Sequence, residues 1–206
     1  MPLSLVIQAG GESRRMGQNK ALTLFGGEPL IARVAARVGG LADEILVTSN
    51  APAELAFLGL PVFPDLIPGQ GALGGLLTAL SAARHDWVAV VACDMPFANP
   101  DLLLAEWEAA RALHADGVVP RSAEGFEPFH AVYRREPCRL AVEKAVHAGQ
   151  MRLISWFQDA HLAFFDPAEV ARYDPGGEAF INVNTPEELR IAEERAPRGS
   201  THRPGI

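Results

Sequence analysis

The run WVAVVAC, from Trp87 to Cys93, is the most continuously apolar stretch in the chain. Strands of a parallel sheet covered on both faces read this way, because both sides of the pleat are buried. The run therefore predicts a central strand in such a sheet. Its surroundings agree. LSLVIQA (Leu3 to Ala9), EILVTS (Glu44 to Ser49) and LPVFP (Leu60 to Pro64) are further short apolar, strand-like runs. Between them lie helix signals. ELAFLG (Glu54 to Gly59) predicts a short helix, and LGGLLTALSAARH (Leu73 to His85) carries leucines at helical spacing. Asn99-Pro100 predicts a helix start with proline in the first turn, running to about His114. Beyond it, ADGVVP, FHAVYRR (Phe129 to Arg135) and His161 to Phe165 read as strands. PCRLAVEKAVHAG (Pro137 to Gly149) and Arg152 to Gln158 read as helices. A last helix begins after NVNT, with Thr185 as N-cap and Pro186 behind it. Alternating strands and helices predict an α/β fold with a mostly parallel sheet and helices on both faces. The second half is less regular and leaves room for antiparallel strands.

Size and composition narrow the function classes. The 206 residues fit one domain, predicted over residues 1–195. The polar, Pro/Gly-rich tail APRGSTHRPGI (Ala196 to Ile206) is predicted to be disordered. A net charge of −7 argues against a nucleic-acid binder. Two cysteines without a Cys-x-x-Cys, and six scattered histidines, argue against a disulfide framework or a zinc site. No leader pattern and no apolar run of membrane-spanning length is visible, which makes a cytoplasmic location the expectation.

The chemistry concentrates after the first strand. GGESRRMGQNK (Gly10 to Lys20) couples two glycines to three cations, Arg14, Arg15 and Lys20, opposed only by Glu12. A strand that empties into a glycine-rich cationic loop has the makings of a phosphate site. The loop is neither Gly-x-x-x-x-Gly-Lys-Ser/Thr nor Gly-x-Gly-x-x-Gly. In open α/β sheets ligands bind outside the carboxyl ends of the strands. Gly10–Lys20, Asn50, Asp65 and Cys93–Asp94 all follow predicted strands, so they are expected to converge. Asp94 leaves the central strand in Cys93-Asp94-Met95-Pro96, and a carboxylate there suits a hard cation. Gly69, Gly71, Gly74 and Gly75 are poor helix material and make sense where backbone approaches a ligand. Asn182 and Asn184 alternate onto one face of an extended segment. His130 lies within a strand pattern and reads as a core or wall histidine rather than a base.

LVIQAGGESRRMGQNKALTLFGGEPL (Leu5 to Leu30) resembles the opening of nucleotidyltransferases that join a nucleoside monophosphate to a phosphorylated acceptor, most of all the MobA-type molybdenum cofactor guanylyltransferase family. PDLIPGQGALGGLLTAL (Pro64 to Leu80), VVACDMPF (Val90 to Phe97), EPFHAVYRRE (Glu127 to Glu136) and INVNTPEEL (Ile181 to Leu189) resemble later blocks of that family, in order. The resemblance spans about residues 3 to 195. It implies a Rossmann-like nucleotidyltransferase domain that transfers GMP from GTP to the phosphate of molybdopterin cofactor and releases pyrophosphate. It implies Mg²⁺ on Asp94, catalytic roles for Arg15, Lys20 and Asp94, and nucleotide contacts from Ala9, Gly10, Gly11, Lys20, Asn50, Asp65, Gly71, Gly75 and Asp94. Asn182 and Asn184 suit the acceptor side or the metal, and Asn184 suits equally a turn residue beside Thr185. It also leaves room for transient contact with proteins that deliver the cofactor or mature molybdoenzymes. The sequence departs from the family pattern at three points: Gln8 where an apolar residue is usual, Asn19 where Asp is common, and CDMP for CDTP. A cytidylyl- or sugar-1-phosphate nucleotidyltransferase, and a non-catalytic nucleotide-binding adaptor, remain open alternatives.

Overall fold

A computed structural model describes residues 2–10 and 19–196. Nine strands and six α-helices follow one another among the described residues: β1 (Leu3–Gln8), β2 (Leu24–Phe25), β3 (Glu28–Pro29), α1 (Leu30–Val38), β4 (Glu44–Thr48), β5 (Val62–Phe63), α2 (Gly71–Ala82), β6 (Trp87–Ala92), α3 (Pro100–Ala112), β7 (Gly117–Pro120), β8 (His130–Arg134), α4 (Arg135–His147), β9 (Leu162–Phe165), α5 (Pro167–Val170) and α6 (Pro186–Arg195). Seven strands form one twisted sheet in the order β5-β4-β1-β6-β8-β7-β9. β1 pairs in parallel with β4 and β6, so that Ile7 lies opposite Val47 on one side and Val91 on the other. Every residue of β1 is buried.

The alternation of the strands divides the core into two layers. Leu5 and Ile7 face α1 and α3 and pack with Ile31, Val34, Leu102 and Leu103. Val6, Val88 and Val90 face the opposite layer and pack with Leu73, Leu76 and Leu80 of α2 and Val142 of α4. α2 is apolar nearly all round and buries eight of its residues. That is what a helix wedged between a sheet and a neighbouring helix requires.

β6 is central, as its composition predicts, but only one of its sides is parallel. β8 runs antiparallel to β6 on that other side and antiparallel to β7 beyond it. The chain returns from β7 to β8 through a short loop held by an Arg121–Phe126 bridge, which inserts β8 between β6 and β7. The stretch Arg152 to Gln158, expected to be helical, is a series of turns ending in a 3₁₀ turn at Phe157–Asp159. Trp156, fully buried against Tyr133 and Phe157, pins those turns in place of a regular helix. Two elements went unread in the sequence. Gly26 and Gly27, both at positive φ, turn the β2–β3 hairpin. α1 follows it directly. Among the described residues no helix is long and apolar enough to cross a membrane.

Candidate active site

Topology decides where a ligand can sit. After β1 the chain builds β4 and β5 on one side, then crosses to β6 on the other, so the strand order reverses at β1. Crevices at such switch points, outside the carboxyl ends of the strands, are the usual ligand sites of open α/β sheets. A cleft of about 360 Å³ opens there, lined by Gln8, Gly10, Lys20, Asp94, Glu127 and Asn182 among others.

The loop carrying Asp94 is held from all sides. The Cys93 N–H donates to the Gln8 carbonyl at 3.0 Å, which locks the strand exits together. Arg33 and Arg37 of α1 donate to the carbonyls of Pro96 and Ala98. Arg33 also stacks on Phe25, 4.4 Å from the ring centroid. The Val183 N–H donates to the Asp94 carbonyl at 3.0 Å, which draws the INVN segment against the loop. The α3 N-cap, Asn99, closes the loop: its side chain accepts from Asp101 and Leu102, and its own N–H donates to His130 Nε2 at 3.0 Å.

These constraints bring three distant parts of the chain together. Lys20 begins a short 3₁₀ turn capped by Asn19, whose side chain accepts from the Ala21 N–H and donates to Glu54. The Lys20 ammonium is thereby aimed into the cleft. It donates to Asp94 Oδ2 and to Asn184 Oδ1, and both the Lys20 and Asp94 side chains are only 15% exposed. Asn184 also precedes the α6 N-cap, where its N–H donates to the Glu188 carboxylate beside the Thr185 capping box. Asn184 thus joins the α6 capping turn to the Lys20 ammonium. Asn182 lines the cleft and donates to the Phe180 carbonyl.

Asn50 and Asp65 are not among the residues that line the cleft; they pair with each other beside Gly10. Asn50 Nδ2 donates to Asp65 Oδ2 at 2.8 Å, and the Asp65 N–H donates back to Asn50 Oδ1 at 2.9 Å. This reciprocal pair orients the Asp65 carboxylate toward Gly10: a Cβ on Gly10 would lie 3.8 Å from Asp65 Oδ1. Gly71 opens α2 at φ +55°, and Gly75 sits one turn on, buried beneath the Gln8 side chain. Ala9 lines the cleft with Gly10. Gly11, Arg14 and Arg15 lie outside the described residues, so their expected roles rest on the sequence.

Two further groups were not singled out as site residues. Glu127 lines the cleft and also a second one, of about 660 Å³, bounded by Arg121, Asp174, Phe180, Asn184 and Glu188. Burial raises the Glu127 carboxyl above its ordinary value. Gln8, a departure from the family pattern, also lines the cleft. The signal was present in its register: a polar residue at the last position of a fully buried strand has to point at something.

His130 is not a base. It is fully buried, its Nε2 is occupied by the Asn99 N–H, and its Nδ1 lies 3.5 Å from Glu106 Oε1. Burial pushes its pKa down to about 4. Burial pushes the equally buried Glu106 carboxyl well above its ordinary value. The thiols of Cys93 and Cys138 are both pushed up by burial and are not nucleophiles.

A family model for the MobA-like NTP transferase domain matches residues 5–162. The chain is 36% identical over 198 residues to the probable molybdenum cofactor guanylyltransferase of Pelotomaculum thermopropionicum, covering 96% of this chain and 95% of that one. It is 32% identical to the molybdenum cofactor guanylyltransferase of Desulfosudis oleivorans, covering 94% and 96%. The fold is similar to the molybdopterin-guanine dinucleotide biosynthesis protein A of Archaeoglobus fulgidus, with a TM-score of 0.80 at 23% identity over 93% of this chain and 97% of the other. A cytidylyltransferase, the 2-C-methyl-D-erythritol 4-phosphate enzyme of Thermus thermophilus, superposes at 0.68 with 22% identity, covering 94% and 98%. On this match in sequence, carried along nearly its whole length, the chain belongs to the MobA-like NTP transferase family.

Proposed function

We propose that this protein transfers GMP from GTP to the phosphate of molybdopterin cofactor, forming the guanine dinucleotide and pyrophosphate. One observation carries the reading: the Lys20 ammonium sits at the strand exits between Asp94 and Asn184, beside a cleft at the topological switch point. A cation held there is positioned for a polyphosphate, and the guanylyltransferases at 30% identity or more supply the substrate class.

The residues also suit Mg²⁺. The atoms gathered around Lys20 are oxygens, one carboxylate and one carboxamide. Among the described residues no cluster of three or more His, Cys, Asp or Glu is present, so a dedicated protein cage is absent. Mg²⁺ characteristically uses one or two carboxylates and completes its shell with water and substrate phosphates. Asp94 would be its protein ligand, with Asn182 and Asn184 close by. When bound, Mg²⁺ would neutralise charge on the phosphate oxygens.

The chain's own residues do the rest. The acceptor phosphate oxygen attacks the α-phosphorus, a new P–O bond forms, and the bond to the β-phosphate bridging oxygen breaks. Such transfers depend on positioning and on stabilising developing charge. Lys20 is freed from Asp94 to follow the charge onto the leaving pyrophosphate. By motif register Arg15 joins it, and a guanidinium can fork onto two phosphate oxygens. Gly10, which lines the cleft, and the Asn50–Asp65 pair beside it take the nucleoside in this reading. The second cleft, continuous with the first through Glu127 and Asn182, takes the pterin. Its acceptors Glu127 and Asp174 suit a ring system rich in N–H donors.

The test is incubation with each of GTP, CTP, ATP and UTP, together with Mg²⁺ and molybdopterin cofactor, with product mass as the readout. The guanine dinucleotide is expected with GTP. A cytosine dinucleotide formed at equal rate would move the protein to the cytidylyl branch. Binding without any product would make it an adaptor.

A further inference from the structure

Gln8 closes the fully buried strand β1 and is itself only 4% exposed. A carboxamide in that position must satisfy one acceptor and one two-proton donor. The acceptor is accounted for: the buried Thr48 hydroxyl donates to Gln8 Oε1. Nε2 then lies between Gly75 of α2 and Gly10, and Gln8 is one of the residues that line the cleft. Among the described residues no acceptor is hydrogen-bonded to it. On the other side of Gly10 lies an acceptor without a partner among the described residues. Asp65 Oδ2 receives the Asn50 amide, but Asp65 Oδ1 is buried with no partner among the described residues. Gly10 lies between them: a Cβ there would stand 3.2 Å from Gln8 Nε2 and 3.8 Å from Asp65 Oδ1. Gly75 leaves the space for the amide, since a Cβ at 75 would overlap Gln8 Nε2 outright.

Gln8 Nε2 and Asp65 Oδ1, the latter buried without a partner among the described residues, thus flank one glycine, and leaving a buried acceptor unpaired is costly. We infer that Gln8 is a base-reading residue, its Nε2–H donating to the 6-keto oxygen of guanine while Asp65 Oδ1 accepts from the adjacent N1–H. Guanine presents a keto acceptor next to a ring N–H donor. Adenine and cytosine present an amine donor next to a ring-nitrogen acceptor, the reverse order. Those bases would set amine against amide and lone pair against carboxylate. Uracil shares the order of guanine but is smaller. The inference rests on the guanylyl reading above and deepens it by naming a side chain that does the discriminating.

Three triphosphates separate this role from a structural one, with binding to the intact protein read by calorimetry. GTP and ITP both carry the keto oxygen and N1–H. 2-Aminopurine riboside triphosphate lacks both. Loss of one buried hydrogen bond of this kind corresponds to about tenfold in affinity. Gln8→Leu is therefore expected to weaken GTP and ITP by about tenfold each and the 2-aminopurine nucleotide by less than about twofold. Gln8→Glu, which offers only acceptors, is expected to weaken GTP at least as much. Gly75→Ala reaches the same amide from α2, should reproduce the pattern, and serves if a Gln8 variant fails to fold. Equal losses on all three nucleotides, or no loss on GTP, overturns the assignment. If the unsubstituted protein binds CTP as tightly as GTP, the guanylyl reading itself fails. If it prefers GTP and Gln8→Leu is silent, only this inference fails.

Discussion

The buried His130, held beside Glu106 under the site loop, makes the stability of the fold depend on pH. His130 is held neutral because burial disfavours its charged form, moving its pKa from 6.5 to about 4. The imidazole is surrounded by Glu106 on α3, the Asn99 N–H at the N-cap of that helix, the Phe180 ring and the charge of Asp174. In the unfolded chain the same imidazole protonates below about 6.5. The unfolded state therefore binds more protons between the two values, and the contribution is present above pH 6.5 and lost as pH falls toward 4. The displacement corresponds to about 3 kcal/mol over that range. Glu106 works in the opposite sense, because the folded state retains a proton that the unfolded carboxyl releases above its ordinary value. Comparing the protein with His130→Gln isolates the histidine, since Glu106 is common to both and a Gln oxygen can still accept the Asn99 N–H. Urea unfolding at intervals from pH 7 to pH 4 should show the native protein losing about 3 kcal/mol relative to the variant. A difference that stays constant with pH would refute the reasoning and return His130 to an ordinary, solvated histidine.

Other expectations follow from the site and the core. Asp94→Asn should leave the fold and most nucleotide affinity intact while lowering kcat by about 10²-fold or more, measured by pyrophosphate release at saturating Mg²⁺. Near-normal turnover would remove Asp94 from the chemistry. Lys20→Ala and Arg15→Ala should each impair kcat/KM for the triphosphate more than Arg14→Ala, and an Arg14 variant that is worst of the three would reverse the loop's orientation. Trp156→Ala should cost about 3–5 kcal/mol in urea unfolding, because the indole is fully buried between Tyr133 and Phe157.

Much of this architecture is legible in the sequence because burial on two faces leaves a plain mark. β1, β4 and β6 read as apolar runs, and α3 and α6 announce their starts with Asn99-Pro100 and Thr185-Pro186. β8 reads as a strand, but nothing local distinguishes a strand inserted antiparallel from one added in parallel; that choice depends on pairing partners far away in sequence. Arg152 to Gln158 misled because Trp156 satisfies helical spacing while tertiary packing holds it in turns. At the site, Lys20 and Asp94 were legible as charges, whereas their direct contact was not, since 74 residues separate them. Gln8 was legible as an oddity, and its meaning needed Thr48, Gly10 and Gly75 in place around it.

The bond from Lys20 to Asn184 spans 164 residues. The seven strands of the main sheet are complete at Phe165, well before Asn184 has been made. A nascent chain can therefore assemble its whole sheet and still lack one oxygen of the charge centre. Domains form as units during synthesis, amino-terminal parts first. Until the INVN segment docks on the Asp94 carbonyl, the Lys20 ammonium has only one of its two protein partners. A chain halted after β9 would thus carry the complete sheet with Lys20 and Asp94 in place but without the Asn184 oxygen, which the last-made segment brings to the first-made part of the fold.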